Sequence, residues 1–119
     1  MADLTLIVGQ IPASLSAFLS LYVGTIGDEI RFTFLRAVAG ADGATTVLNL
    51  SGATLTWISE DGRQRTLTVQ SAGSALATYT TSARDFEAPL MQQGQVRLSL
   101  ASGQRFYTPP FLVHVAGHL

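Results

Sequence analysis

The feature that most constrains this chain is a period of two. Between Glu29 and Arg36, Ile30, Phe32 and Phe34 fall on one side of an extended backbone, and Arg31 and Thr33 on the other. A helix would scatter these side chains around its axis, whereas a strand sorts them onto opposite faces. The pattern returns at Leu55 and Trp57 against Thr54, Thr56 and Ile58, and at Val96, Leu98 and Leu100 against Arg97 and Ser99. Shorter extended runs are Val47 to Leu50, Ala75 to Thr81 with Leu76 and Tyr79, and Gln104 to Tyr107 with Phe111 to Val115. Pro109 and Pro110 interrupt the last of these. A proline cannot donate to a ladder, so that strand is expected to kink there and lie on an edge.

Turn signals separate the runs: Gly27-Asp28, Asp42-Gly43, Ser51-Gly52, Asp61-Gly62, Gly73-Ser74 and Ser102-Gly103. Asp61-Gly62 is a hairpin signal, and it predicts a return strand over Arg63 to Gln70 with Leu67 and Val69 against Leu55 and Trp57. Ser82 is placed to cap a short helical turn reaching Phe86. Strands of this length, with a turn about every ten residues, make an all-β sandwich or small barrel of roughly seven to nine strands. A chain of 119 residues holds one such domain. Its expected core is Ile30, Phe32, Phe34, Leu55, Trp57, Leu67, Val69, Tyr79, Val96, Leu98, Leu100, Phe111 and Val113. Each such burial contributes about 1.5–3 kcal/mol against chain entropy.

The opening is different, for Leu4 to Gly27 carries no charge. A bilayer span is disfavoured by Gly9, Gln10, Pro12, Ser14, Ser16 and Ser20, and a signal peptide by the acidic start at Asp3. The stretch divides into Leu4 to Val8 and an alternating run from Leu15 to Val23 that is apolar on both faces. A short helix from Ala13 to Leu21 is the competing reading. We expect residues 1–23 to be an extended apolar arm or added strands, and 24–119 the sandwich. A strand greasy on both sides needs a second cover. Leu6, Val8, Leu15, Phe18, Leu19, Leu21 and Tyr22 are therefore the candidate interface residues. Phe106 and Tyr107, just before the proline pair, join them because aromatics are enriched at binding hot spots.

Charged residues make up only 13% of the chain and the net charge is −1, so nothing in the balance favours nucleic acid. A surface so poor in charge suits a subunit covered by neighbours. All seven basic residues are arginine, and there is no cysteine, which excludes disulfides, thiolate metal sites and cysteine nucleophiles. On one strand, His114 and His118 would stand about 13 Å apart, too far to share an ion. No nucleophile elbow and no phosphate-binding glycine motif occurs. The acids Asp28, Glu29, Asp42, Glu60, Asp61, Asp85 and Glu87 lie mostly in turns, where carboxylates satisfy backbone donors. We expect no catalysis, no cofactor and no metal. Trp57, Tyr79, Phe106 and Tyr107 leave a sugar-stacking platform open, with Trp57 and Tyr79 better placed for the core.

Gly27-Asp28-Glu29-Ile30-Arg31-Phe32-Thr33-Phe34, Asp42-Gly43, Leu50-Ser51-Gly52-Ala53-Thr54-Leu55, Trp57 and Gly94-Gln95-Val96-Arg97-Leu98 follow one another in a telling order. Over about residues 24–115 the chain resembles the immunoglobulin-like domain of tailed-phage baseplate upper proteins and related tail proteins. The resemblance implies an immunoglobulin-like antiparallel sandwich and a structural virion subunit of the tail or baseplate. Such a subunit would be made in the host cytoplasm and assemble with other virion structural proteins and with copies of itself. It implies no nucleic-acid or membrane partner and supplies no catalytic residues. A capsid decoration protein and a carbohydrate-binding module are the alternatives.

Overall fold

A computed structural model describes residues 2–8, 18–37, 45–82 and 85–117. Eleven strands run through them: β1 (Ala2–Val8), β2 (Phe18–Tyr22), β3 (Glu29–Ala37), β4 (Thr45–Val47), β5 (Thr54–Ser59), β6 (Gln64–Thr66), β7 (Thr68–Ser71), β8 (Leu76–Thr80), β9 (Leu90–Ser99), β10 (Arg105–Tyr107) and β11 (Phe111–Ala116). No helix occurs among the described residues. The first sheet has the order β1-β3-β8-β7, with β4 also on β3. The second has the order β2-β11-β9-β5-β6, with β10 also on β9. The two sheets form an all-β sandwich. The strand count exceeds seven to nine because two expected strands each divide: Arg63 to Gln70 into β6 and β7, and Gln104 to Val115 into β10 and β11.

The expected hairpin at Asp61-Gly62 forms. Gly62 has φ +91°, the left-handed region, and β5 pairs β6 from Thr56↔Thr66 to Ile58↔Gln64. Its return strand does not continue straight. At Leu67 the chain leaves the second sheet for the first: Leu67 N–H still donates to Leu55 O, but Val69 pairs with Ala77. Leu67 is buried at this crossing, and Val69 faces Ala77 rather than Trp57.

Two pairings depart from the antiparallel expectation. β1 runs parallel to β3, from Ala2↔Ile30 to Val8↔Arg36. β2 runs parallel to β11, from Leu112↔Phe18 to Ala116↔Tyr22. Residues 2–8 and 18–22 are thus added strands, one on each sheet. The competing helix from Ala13 to Leu21 gives way to strand at Phe18–Tyr22, and Leu15 lies outside the described residues. Leu4, Leu6, Val8, Leu19 and Leu21 enter the core of their own chain. Period two told which residues share a face, but not which neighbour the face would meet.

The proline pair also has a different outcome. β10 and β11 share one edge of β9 in turn, β10 at Arg97–Ser99 and β11 at Leu90–Gly94. Thr108 spans the break: its N–H donates to Val96 O, its hydroxyl accepts from Val96 N–H, and its carbonyl accepts from Gln95 Nε2. β10 is an edge strand, whereas β11 lies between β9 and β2.

Trp57 fills the centre. Its ring lies 5.8 Å from Phe32, 6.0 Å from Phe111, 6.3 Å from Phe86 and 5.8 Å from Tyr79, centroid to centroid. Such tilted and edge-on pairs set the positive ring edge against a negative face. Gly94 makes the space for it. A Cβ there would stand 2.7 Å from Trp57 Nε1 and 3.0 Å from the Phe111 ring. Leu100, Val69 and Tyr79, expected in the core, are only half-buried.

Against the indole lies a buried ion pair. Arg65 and Asp85 side chains are 4% and 0% exposed, with Nε to Oδ1 at 2.9 Å. Arg63 approaches the same oxygen at 3.1 Å. Oδ2 accepts from Tyr79 OH, Ser82 N–H and the Ser82 hydroxyl, while Arg65 Nη1 donates to Ser59 Oγ. The Ser82 hydroxyl donates to Asp85, and residues 83–84 of the helical turn expected after Ser82 lie outside the described residues. The Arg65 guanidinium stacks over Trp57 at 4.8 Å and Phe86 at 5.3 Å. Burial pushes the Asp85 carboxyl up. The donors, Arg65 foremost and then Ser82 and Tyr79, outweigh it and hold the group at about 2. Burial first, and then the Asp85 carboxylate, push the Tyr79 hydroxyl above its usual range.

Two outcomes are expected. Gly94→Ala should cost about 1–3 kcal/mol through overpacking against Trp57 and Phe111, read as a lower urea midpoint at unchanged slope. Asp85→Asn should cost about 3–5 kcal/mol by leaving Arg65 buried without its counter-charge. A carboxyl held below its unfolded value stabilises above pH of about 4 and loses that contribution as the pH falls through its folded value. The wild type should therefore lose stability from pH near 4 down to about 2, and Asp85→Asn should flatten that limb in an acid titration of the thermal midpoint.

Candidate assembly surface

The two outer faces of the sandwich differ in chemistry, and the alternation of each strand decides how. In the first sheet, Asp3, Thr5, Glu29, Arg31, Thr33, Gln70 and Thr80 point outward, and Thr78, opposite Arg31 on the same side, is buried among them. Arg31 Nε meets Asp3 Oδ1 at 2.8 Å, an exposed pair that ties β1 to β3. A polar groove of about 300 Å³ runs over Thr66, Thr68, Gln70, Thr78 and Thr80 beside Glu29.

The second sheet presents an apolar face. Phe18, Ser20 and Tyr22 point out of β2, Leu112, His114 and Ala116 out of β11, and Met91 and Gln93 out of β9. Register sets them in rows: Phe18 beside Leu112 beside Gln93, Ser20 beside His114 beside Met91, and Tyr22 beside Ala116. The Phe18 and His114 rings lie 6.2 Å apart at 56°. Phe18 is 53% exposed, Tyr22 64% and Met91 60%. β2, β11 and the Leu90–Gln95 half of β9 contain no Asp, Glu, Lys or Arg. Solvating three large apolar side chains on one uncharged face is unfavourable, and such patches mark contact sites.

The face continues towards β5. A shallow groove of about 200 Å³ is lined by Ile58, Gln93, Gln95 and Pro110, with Glu60 at its side accepting from Gln93 N–H. Beyond it, Tyr107 stands beside Arg97 on the same outer side and is 49% exposed. Among the described residues, four of the six exposed large hydrophobic side chains thus share this face. The other two, Ile26 and Val47, lie in the loop after β2 and in β4.

The candidate interface residues therefore separate. Phe18, Tyr22 and Tyr107 sit on the outer face of the second sheet. Leu6, Val8, Leu19 and Leu21 are buried in the chain's own core, where a neighbour cannot reach them in this fold. Phe106 is half-buried beneath the Arg36 guanidinium, 5.3 Å from its ring centroid. It points to the opposite side of β10 from Tyr107, so the two rings form no common sugar platform. Nothing in the sequence marks Met91, Leu112 or His114 as part of this surface, because only the β2–β11–β9 pairing assembles it.

Among the described residues, no three His, Cys, Asp or Glu side chains gather as a metal site, and no helix is long and apolar enough to cross a membrane. Asp85, the one buried carboxylate there, has its oxygens occupied by the core arginine, tyrosine and serine.

No protein-family profile matches the chain, and no curated protein matches it. A solved structure does: the N-terminal domain of phage TP901-1 ORF48 is similar over 96% of each chain, with a TM-score of 0.66 and 12% sequence identity. The likeness is one of fold, the same sandwich carried by a very different set of side chains.

Proposed function

We propose that this chain is a structural subunit of a tailed-phage or phage-derived particle, placed in its tail or baseplate. It works through protein–protein contacts and not by catalysis. The observation that carries this reading is the uncharged apolar outer face built from Phe18, Tyr22, Met91 and Leu112. Its fold likeness to a domain of a phage protein supports the particle. So does the order of the Gly27–Phe34, Leu50–Leu55 and Gly94–Leu98 segments, which on this reading belong to an immunoglobulin-like sandwich of the baseplate-upper kind.

The physical logic is that of a rigid block. The aromatic core and the buried Arg65–Asp85 pair hold the second sheet in one shape, so its outer face is presented without an ordering cost on binding. Tyr and Phe supply contact area with few rotatable bonds. The absence of charge over β2 and β11 means that no ion has to be desolvated at the centre of the contact. Other virion structural proteins are the partners this face fits, and the virion is where the chain would reside.

The test is incorporation into particles. Met91→Glu and Phe18→Ser alter only outward side chains, so the thermal midpoint should stay within about 3 °C of wild type. Incorporation, read by immunoblot of purified particles, should fall by about tenfold or more if the face contributes at least 1.4 kcal/mol. Undiminished incorporation of the double variant would remove the face from the assembly.

A further inference from the structure

We propose that the face in question includes a self-pairing edge: two copies of the chain join β2 to β2 in antiparallel fashion, centred on Ser20, to make one continuous sheet. This deepens the assembly reading, on which it rests, by naming one partner as a second copy.

Sheet edges are usually protected by charge, proline, a bulge or shortness. In this chain β4, β6 and β10 are three residues each. β7 carries a register irregularity between Val69 and Ser71. β1 carries Asp3, tied to Arg31. β2 has none of these devices: it is Phe-Leu-Ser-Leu-Tyr, five residues without charge, glycine or proline. It is also the last strand of its sheet among the described residues.

Its backbone has a defined outward side. Val23 N–H donates to Ala116 O. In a parallel ladder alternate residues address the same neighbour, so Leu19 and Leu21 turn their peptide groups to β11 and Ser20 turns its own away. Ser20 N–H and C=O are thus the groups a further strand would meet.

The side chains suit a copy of the same strand. Phe-Leu-Ser-Leu-Tyr reads alike in both directions by class: aromatic, leucine, serine, leucine, aromatic. Antiparallel pairing about Ser20 sets Phe18 against Tyr22 of the second copy twice, and Leu19 against Leu21 twice. The aromatic pairs lie on the apolar outer face and the leucine pairs at the sandwich interior, so neither face mismatches. Aromatic cross-strand pairs are among the favourable ones. A two-fold axis through Ser20 is the closed symmetry such a self-complementary strand requires.

The chain has no cysteine, so an introduced one reports on this contact alone. Directly opposed residues of a hydrogen-bonded antiparallel pair have Cα atoms about 5.5 Å apart, within disulfide range. Full-length Ser20→Cys, oxidised at micromolar concentration, should run as a covalent dimer on a non-reducing gel. It should cross-link about tenfold faster or more than Thr80→Cys on the other sheet, because pairing raises the local thiol concentration. Phe18→Cys should cross-link to Tyr22→Cys in a mixture faster than either does to itself, which fixes the register. Wild-type native mass at the same concentration should be that of a dimer. Ser20→Cys reacting no faster than Thr80→Cys, or a monomeric native mass, would overturn the pairing. In that case normal particle incorporation, lost in the Met91→Glu and Phe18→Ser double variant, would leave the wider assembly reading standing.

Discussion

Trp57 is where every part of this sandwich meets. Phe32 comes to it from the first sheet, Phe111 from the strand after the proline pair, and Phe86 from the loop that follows β8. Arg65 covers another side of the ring. Gly94 leaves the room it occupies, since any side chain there would collide with the indole. Close-packed interiors do not absorb such changes easily, so the spacing between the sheets depends on this one ring and the absence of an atom beside it.

The polar core is organised around the same point. A carboxylate with no exposed surface survives in a protein only when donors replace its water. Asp85 has Arg65, Arg63, Tyr79 and Ser82. These belong to the β5–β6 hairpin and its continuation, to β8, and to the loop after it, so a single carboxylate ties the second sheet to the first. Buried ion pairs are weak sources of net stability. What this one does is link separate segments through one group, since its oxygens accept from β6, β8 and the loop after β8.

The apolar outer face of the second sheet depends on how the chain starts. β1 and β2 join different sheets, each by a parallel pairing, and each puts leucines into the shared core. On β2 the same alternation that buries Leu19 and Leu21 exposes Phe18 and Tyr22. The strand is thus core on one side and surface patch on the other. The pairing of β2 with β11 is the reason Leu112 and His114 become neighbours of Phe18, with Met91 one strand further on beside His114.

Much of this was legible in the residues alone. Alternation identified Ile30, Phe32, Phe34, Leu55, Trp57, Val96 and Leu98 as one set of inward side chains, because period two is a local property of extended chain. Asp61-Gly62 announced its hairpin through the backbone freedom of glycine. The doubly apolar run from Leu15 to Val23 signalled that two covers were needed. Tertiary structure alone decided what they were: the chain's own core for Leu19 and Leu21, and an open face for Phe18 and Tyr22. It also decided that Asp85, one acid among several near turns, would be the buried one, and that the strand after Asp61-Gly62 would change sheets at Leu67. Pairing partners lie tens of residues apart and leave no periodic trace. A sequence can therefore state which way each side chain points along a strand, and only the packed sandwich states what it points at.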